Sequence, residues 1–126
     1  MAKNVVFSAN APAPIGPYSQ AIQAGDFLFV SGQIAIRPAD GSLVTGSIED
    51  ETHQVMKNLG EVLAAANLGF ANIVKTTIFL KDMNNFPNVN AVYGKYFASE
   101  PPARETVEVS RLPKDVHVEI SCIAAK

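Results

Sequence analysis

Apolar residues recur along this chain with two periods, and the switches between them mark out its elements. Ile48, Val55, Leu59, Val62, Leu63 and Ala66 fall at helical spacing. Ser47 is placed to cap that helix, with Asp50 three residues on. Glu49, Asp50 and Glu51 suit the positive end of the helix dipole, and Gly69 supplies a stop. A second helix is predicted from Asn85 to Ala98, with Phe86, Val89, Tyr93, Tyr96 and Phe97 on one side. Pro87 sits in its first turn, where a missing N–H costs nothing.

Two strands stand out. Phe27 to Ser31 ends at Gly32, and Asn72 to Leu80 is rich in β-branched residues. In both, each alternating set contains large apolar side chains, as expected when both faces of a sheet are buried. Ala9 to Tyr18 is a loop whose three prolines cannot donate to a ladder, and Ala39-Asp40-Gly41 signals a turn. The order of elements predicts one α+β domain over residues 1–126. It has a mostly antiparallel sheet with two helices packed on one face. Two helices cover one face only. Either another subunit covers the second or the sheet curls on itself, and self-association is the favoured reading.

The last two strands are expected to pair as a hairpin across Arg111-Leu112-Pro113-Lys114. Pairing Ser110 with Asp115 sets Thr106 opposite Glu119 and Arg104 opposite Ser121. Arg104 and Glu119 then lie diagonally, about 7–8 Å apart between backbones, on a polar strip of the face without helices. Such a pair reads equally as a structural tie or as a site. In the second reading Arg104 offers a planar fork to a carboxylate, and Glu119 handles a water or a proton. Alternation does not separate the two.

Composition narrows the classes. Apolar residues are 48% and charged residues 17% of the chain, with a net charge of −2 and no cluster of cations. That argues against nucleic-acid binding, which needs such a cluster. The single cysteine, Cys122, excludes an internal disulfide, and His53 and His117 are not spaced as metal ligands. No apolar run approaches membrane-spanning length. A reducing, cytoplasmic setting is the expectation.

Several motifs occur together and in one order: Ile15-Gly16-Pro17-Tyr18-Ser19-Gln20, Ser31-Gly32-Gln33-Ile34, Val74-Lys75-Thr76-Thr77, Val89-Asn90-Ala91-Val92-Tyr93, Pro102-Ala103-Arg104, Val107-Glu108-Val109, Leu112-Pro113-Lys114-Asp115 and Val118-Glu119-Ile120. End to end, the chain resembles the RidA/YjgF family of enamine/imine deaminases, in its active, arginine-containing branch. The resemblance implies a chorismate-mutase-like fold and a homotrimer with clefts between subunits. It implies hydrolysis without a cofactor of 2-aminoacrylate and related imine or enamine carboxylates. These are the products of pyridoxal-phosphate-dependent dehydratases, and hydrolysis turns them into 2-oxo acids and ammonia. It casts Arg104 and Glu119 as catalytic, Arg104 holding the substrate carboxylate and Glu119 working through water. Tyr18, Ser31, Gly32, Asn90 and Thr106 join Arg104 in binding substrate, with Gly32 letting backbone approach the ligand. No metal ligand is implied.

Two positions depart from the family pattern. Thr106 stands where a cysteine is frequent, and Glu105 where a small residue is usual. Alternation points Glu105 away from the site, towards an interface or rim. Among the remaining candidates, Cys122 reads as a packed thiol and His53 as a solvated helix residue. His117 reads as structural, and Tyr93, Tyr96 and Phe97 as core or interface rather than a stacking platform. Two other functions compete with the hydrolase: a non-catalytic trimeric sensor of 2-oxo acids or related carboxylates, and an RNA-directed translation inhibitor.

Overall fold

The computed structural model describes residues 2–126. Six strands form one sheet: β1 (Lys3–Val6), β2 (Ala21–Ala24), β3 (Phe27–Gln33), β4 (Ile73–Leu80), β5 (Ala103–Glu108) and β6 (Val118–Ala125). Their spatial order is β1-β2-β3-β6-β4-β5, and only the β4–β5 pair is parallel. Helices α1 (Ile48–Ala65) and α2 (Phe86–Gly94) pack on one face. The α+β class and the mostly antiparallel sheet are as the pattern predicts.

Helix α1 begins at its predicted cap, where the Ser47 hydroxyl accepts the Asp50 N–H at 3.1 Å. Its end differs from the expectation. Asn67, not Gly69, takes the left-handed conformation, with φ 60°. The Leu68 N–H then reaches back to the Leu63 carbonyl at 3.0 Å and that of Asn67 to the Ala64 carbonyl at 2.9 Å. Those paired bonds satisfy the last free carbonyls of the helix. Helix α2 ends at Gly94 rather than Ala98; Tyr96 and Phe97 lie in tighter turns beyond it, and because they continue its apolar stripe the pattern overextends the helix. Val55, Met56, Leu59 and Leu63 of α1 are fully buried with Leu28, Ile78, Leu80, Val118 and Ile120 of the sheet. The opposite face is uncovered in the single chain. Val5, Phe27, Phe29 and Val107 there are 65, 48, 47 and 39% exposed.

The predicted terminal hairpin does not form. β4 lies between β5 and β6, so Arg104 pairs with Thr76, which pairs in turn with Cys122. Thr106 lines up with Ile78 and Ile120, and Glu119 with Phe79 and Val107. The expected register is therefore one residue out across the sheet, and a one-residue step exchanges the faces. Arg104 and Thr106 project to the helical side, while Glu119 and Ser121 project to the open side. The expected polar strip holding both Arg104 and Glu119 does not exist in one chain. Alternation fixes which residues share a face along a strand, but not which strand lies alongside.

Candidate functional site

Site residues predicted from sequence gather into two groups on opposite sides of the sheet. Arg104 centres the first. On α2, Phe86, Asn90 and Tyr93 follow one another at steps of four and three, which puts them on one helical face. Arg104 Nη1 donates to Asn90 Oδ1 at 2.7 Å, and its guanidinium carbon lies 5.2 Å from the ring centroids of both Phe86 and Tyr93. The Tyr93 hydroxyl is tied to Thr76 Oγ1 at 2.7 Å. Tyr93 is a core residue, as the sequence pattern has it, and its ring also packs against the Arg104 guanidinium. Beside it opens a cavity of about 410 Å³, lined by Arg104, Asn90, Phe97, Pro101 and Pro102 among others.

Thr106 lies two residues along the same face from Arg104, and its buried Oγ1 has no hydrogen-bond partner among the described residues. Glu105 points the other way. Its carboxylate accepts from Thr77 at 2.7 Å and pairs with Lys75 at 3.2 Å on the open face.

Glu119 centres the second group. β3 and β6 keep register at Val30–Cys122 and again at Gln33–Ile120, so three steps on β3 match two on β6. Ser31 and Gly32 form the bulge, and bulges re-aim the residues they contain. A side chain at Gly32 would collide with Glu119 Oε2, and its Cβ would lie 2.9 Å from Glu119 Cδ. The glycine therefore leaves room for the Glu119 carboxyl, a close approach within the protein itself. Ser31 donates from Oγ to the Ser19 carbonyl at 2.6 Å. The buried Gln20 side chain holds the proline loop, accepting from Ser8 N at 2.6 Å and donating to Pro12 O at 2.9 Å. Tyr18, Ser31, Gly32, Lys114 and Glu119 thus line one cavity of about 550 Å³. Burial raises the pKa of the Glu119 carboxyl above its ordinary value, and among the described residues no ion pair or hydrogen bond offsets it.

The fully buried Glu51 accepts from His117 N at 2.7 Å and Val118 N at 3.1 Å, and meets His117 Nδ1 at 2.8 Å. That contact anchors α1 to the start of β6, and nothing in the acidic first turn of α1 distinguished Glu51 from its neighbours. His53 is half-buried rather than solvated, with Nδ1 2.8 Å from the Tyr96 hydroxyl. Burial pushes the Cys122 thiol up to about 12, so it stays protonated and inert. Among the described residues no group of three or more His, Cys, Asp or Glu side chains is placed to hold a metal. Nor, among those residues, is any helix long and apolar enough to cross a membrane.

Residues 8–126 match the family model described as Endoribonuclease L-PSP. The chain belongs to this family, RidA/YjgF. A RutC family protein of Pyrococcus horikoshii is 55% identical over 124 residues, covering 98% of each chain. The mouse 2-iminobutanoate/2-iminopropanoate deaminase is 46% identical over 124 residues, covering 98% of this chain and 92% of that one. Among solved RidA/YjgF structures, E. coli TdcF with bound serine superposes with a TM-score of 0.94 at 36% identity, over 98% of both chains. Family names thus point both to RNA cleavage and to imine hydrolysis, which demand different sites.

Proposed function

We propose that this chain is a hydrolase of 2-imino acids, a 2-iminobutanoate/2-iminopropanoate deaminase that also takes their enamine tautomers. The observation that carries the reading is the complementarity of the two groups. One presents a stacked cationic fork, the other a half-buried carboxyl that burial makes a weaker acid than usual and that opens into a cavity. The first fits a substrate carboxylate and the second a proton donor. RNA cleavage has less support, since the chain carries net charge −2 without a basic stripe.

Arg104 and Glu119 face opposite ways in one chain, so a site using both takes each from a different copy. The exposed apolar face around Phe27 and Phe29 supports such an assembly, and a closed ring of three gives every copy one complete site. Arg104 and Thr106 hold the carboxylate end, with Asn90 behind. Tyr18, Ser31 and Gly32 of the neighbouring copy shape the cavity around Glu119. Glu119 protonates the enamine carbon to give the iminium ion and, now a carboxylate, takes a proton from the water that adds to the C=N carbon, returning it to the nitrogen. The carbinolamine so formed expels ammonia and leaves the 2-oxo acid. Carbon does not change its oxidation state in this hydrolysis, so the step calls for no redox cofactor. Pyridoxal-phosphate-dependent dehydratases, which release 2-aminoacrylate, are the natural suppliers, and the chain works as one domain in the cytoplasm.

The test adds the purified protein to a dehydratase acting on serine and follows 2-oxo acid release. Wild type should accelerate the release, and Arg104→Lys, which lacks the fork, should lose about 100-fold while remaining folded. No acceleration by wild type, with cleavage of an RNA substrate instead, would overturn the proposal.

A further inference from the structure

Arg104 sits on an exposed edge strand, where a long side chain ordinarily samples many rotamers. Here three residues of α2 meet it at once. Asn90 Oδ1 takes one Nη1 proton at 2.7 Å, and the rings of Phe86 and Tyr93 each lie 5.2 Å from the guanidinium carbon. Tyr93 is itself fixed, since its hydroxyl meets Thr76 Oγ1 at 2.7 Å and Thr76 is the strand partner of Arg104. The circuit therefore closes on itself: strand partner, tyrosine, arginine. Nε and Nη2 of Arg104 donate to nothing among the described residues. The edge they share stays whole for a bidentate acceptor.

We propose that Phe86, Asn90 and Tyr93 are positioning residues that fix the plane of the Arg104 guanidinium and present its Nε–Nη2 edge to the substrate carboxylate. This rests on Arg104 being the carboxylate anchor. It assigns Asn90 a role behind the arginine rather than on the substrate, and it gives Phe86 and Tyr93 a task beyond packing. A loosened guanidinium must be ordered each time a carboxylate binds, which weakens ground state and transition state alike. KM therefore rises while kcat holds. Lost packing does the reverse, because fewer folded molecules lower the apparent kcat at unchanged KM.

The experiment measures KM and kcat for the imine, and Kd for 2-oxobutanoate by calorimetry, in Phe86→Leu, Phe86→Tyr, Asn90→Ala and Arg104→Lys. Phe86→Leu and Asn90→Ala should raise both KM and Kd by about three- to tenfold, the range of a cation–π contact or one hydrogen bond. Phe86→Tyr restores the ring and should return both constants to wild type. Unchanged KM and Kd in Phe86→Leu and Asn90→Ala, beside a large loss in Arg104→Lys, would sink the positioning role and leave the anchor standing. Wild-type binding of 2-oxobutanoate by Arg104→Lys would sink both.

Discussion

Arg104 and Glu119 project from opposite faces of the same sheet, with β4 between their strands. No rotamer change brings them together within one chain, because the sheet itself stands in the way. If both act on one substrate, each catalytic unit must borrow one of them. Arg104→Ala and Glu119→Gln, each inactive alone, should then complement when co-expressed. In a ring assembled at random, about a quarter of the interfaces join an intact arginine to an intact glutamate. Recovery of roughly that share of wild-type activity is expected. Complete absence of recovery from verified mixed oligomers would place the chemistry within single chains.

Gly32 controls where the Glu119 carboxyl can lie. A methyl group at this position overlaps Glu119 Oε2, the mobile end of a side chain rather than fixed backbone. Gly32→Ala should therefore cost little stability, since Glu119 can swing aside, yet displace its carboxyl, the proposed proton donor, by an ångström or more. Misplacement on that scale costs about 100-fold in rate. Melting temperature and kcat/KM measured on the same preparation decide it. A variant that is both stable and fully active would show that the Glu119 position does not matter.

Acidity gives a separate handle on the same carboxyl. Burial raises the folded-state pKa of Glu119 above its unfolded value. The folded chain therefore binds this proton more tightly, and the associated stability is full at low pH and lost as pH rises through the raised pKa. Activity carries the same sign if the neutral carboxyl is the donor. The kcat/KM profile should fall with rising pH above the ordinary carboxylate range, and Glu119→Gln should remove that step. A step that survives in Glu119→Gln would belong to another group.

These relationships were unequally legible in the sequence. Helix α1 was readable because Ser47, the acidic first turn and the apolar stripe agree, and its core contacts follow. Strands β1 and β2 leave little trace in the sequence because each is four residues long, and Lys3–Val6 and Ala21–Ala24 offer almost no alternation. A β5–β6 hairpin is what the local pattern favours. Both segments alternate and a short proline loop follows β5, but the loop carries the chain past β4, a step that no local period encodes. The aromatic holder of Arg104 was half visible, since Phe86, Asn90 and Tyr93 are spaced for one helical face. Their partner became visible only with β5 laid beside β4.

Thr106 is the simplest departure to test. Its buried hydroxyl has no partner among the described residues, so it contributes desolvation cost without a hydrogen bond. Thr106→Val keeps the shape and discards the polar atom, and should stabilise the fold by about 1 kcal/mol. Activity should stay within a few-fold in Thr106→Val and in Thr106→Cys, provided that backbone geometry is what this position supplies. Chemical denaturation of the three proteins measures the first effect and steady-state turnover the second. A collapse of activity in Thr106→Val alone would mean that the orphan hydroxyl finds its partner on the substrate.

Assembly links the open face to the chemistry. Phe27 and Phe29 on β3 and Val5 on β1 are about half exposed or more in the single chain, and a contiguous apolar surface of this kind marks an interaction site. Lys75 and Glu105 pair on the same face, so the covered surface mixes an apolar field with one ion pair. An interface of that composition holds by apolar burial, and charge contributes register more than affinity. Phe29→Glu places an uncompensated charge in the apolar field and should give folded monomers. Because a site split between copies disappears with the interface, those monomers should be inactive. Sedimentation velocity across a wide dilution range, with deaminase activity measured on the same samples, tests both consequences. For wild type, mass and activity should fall at the same concentration. A folded Phe29→Glu monomer with full turnover would overturn the split site and return Arg104 and Glu119 to separate roles.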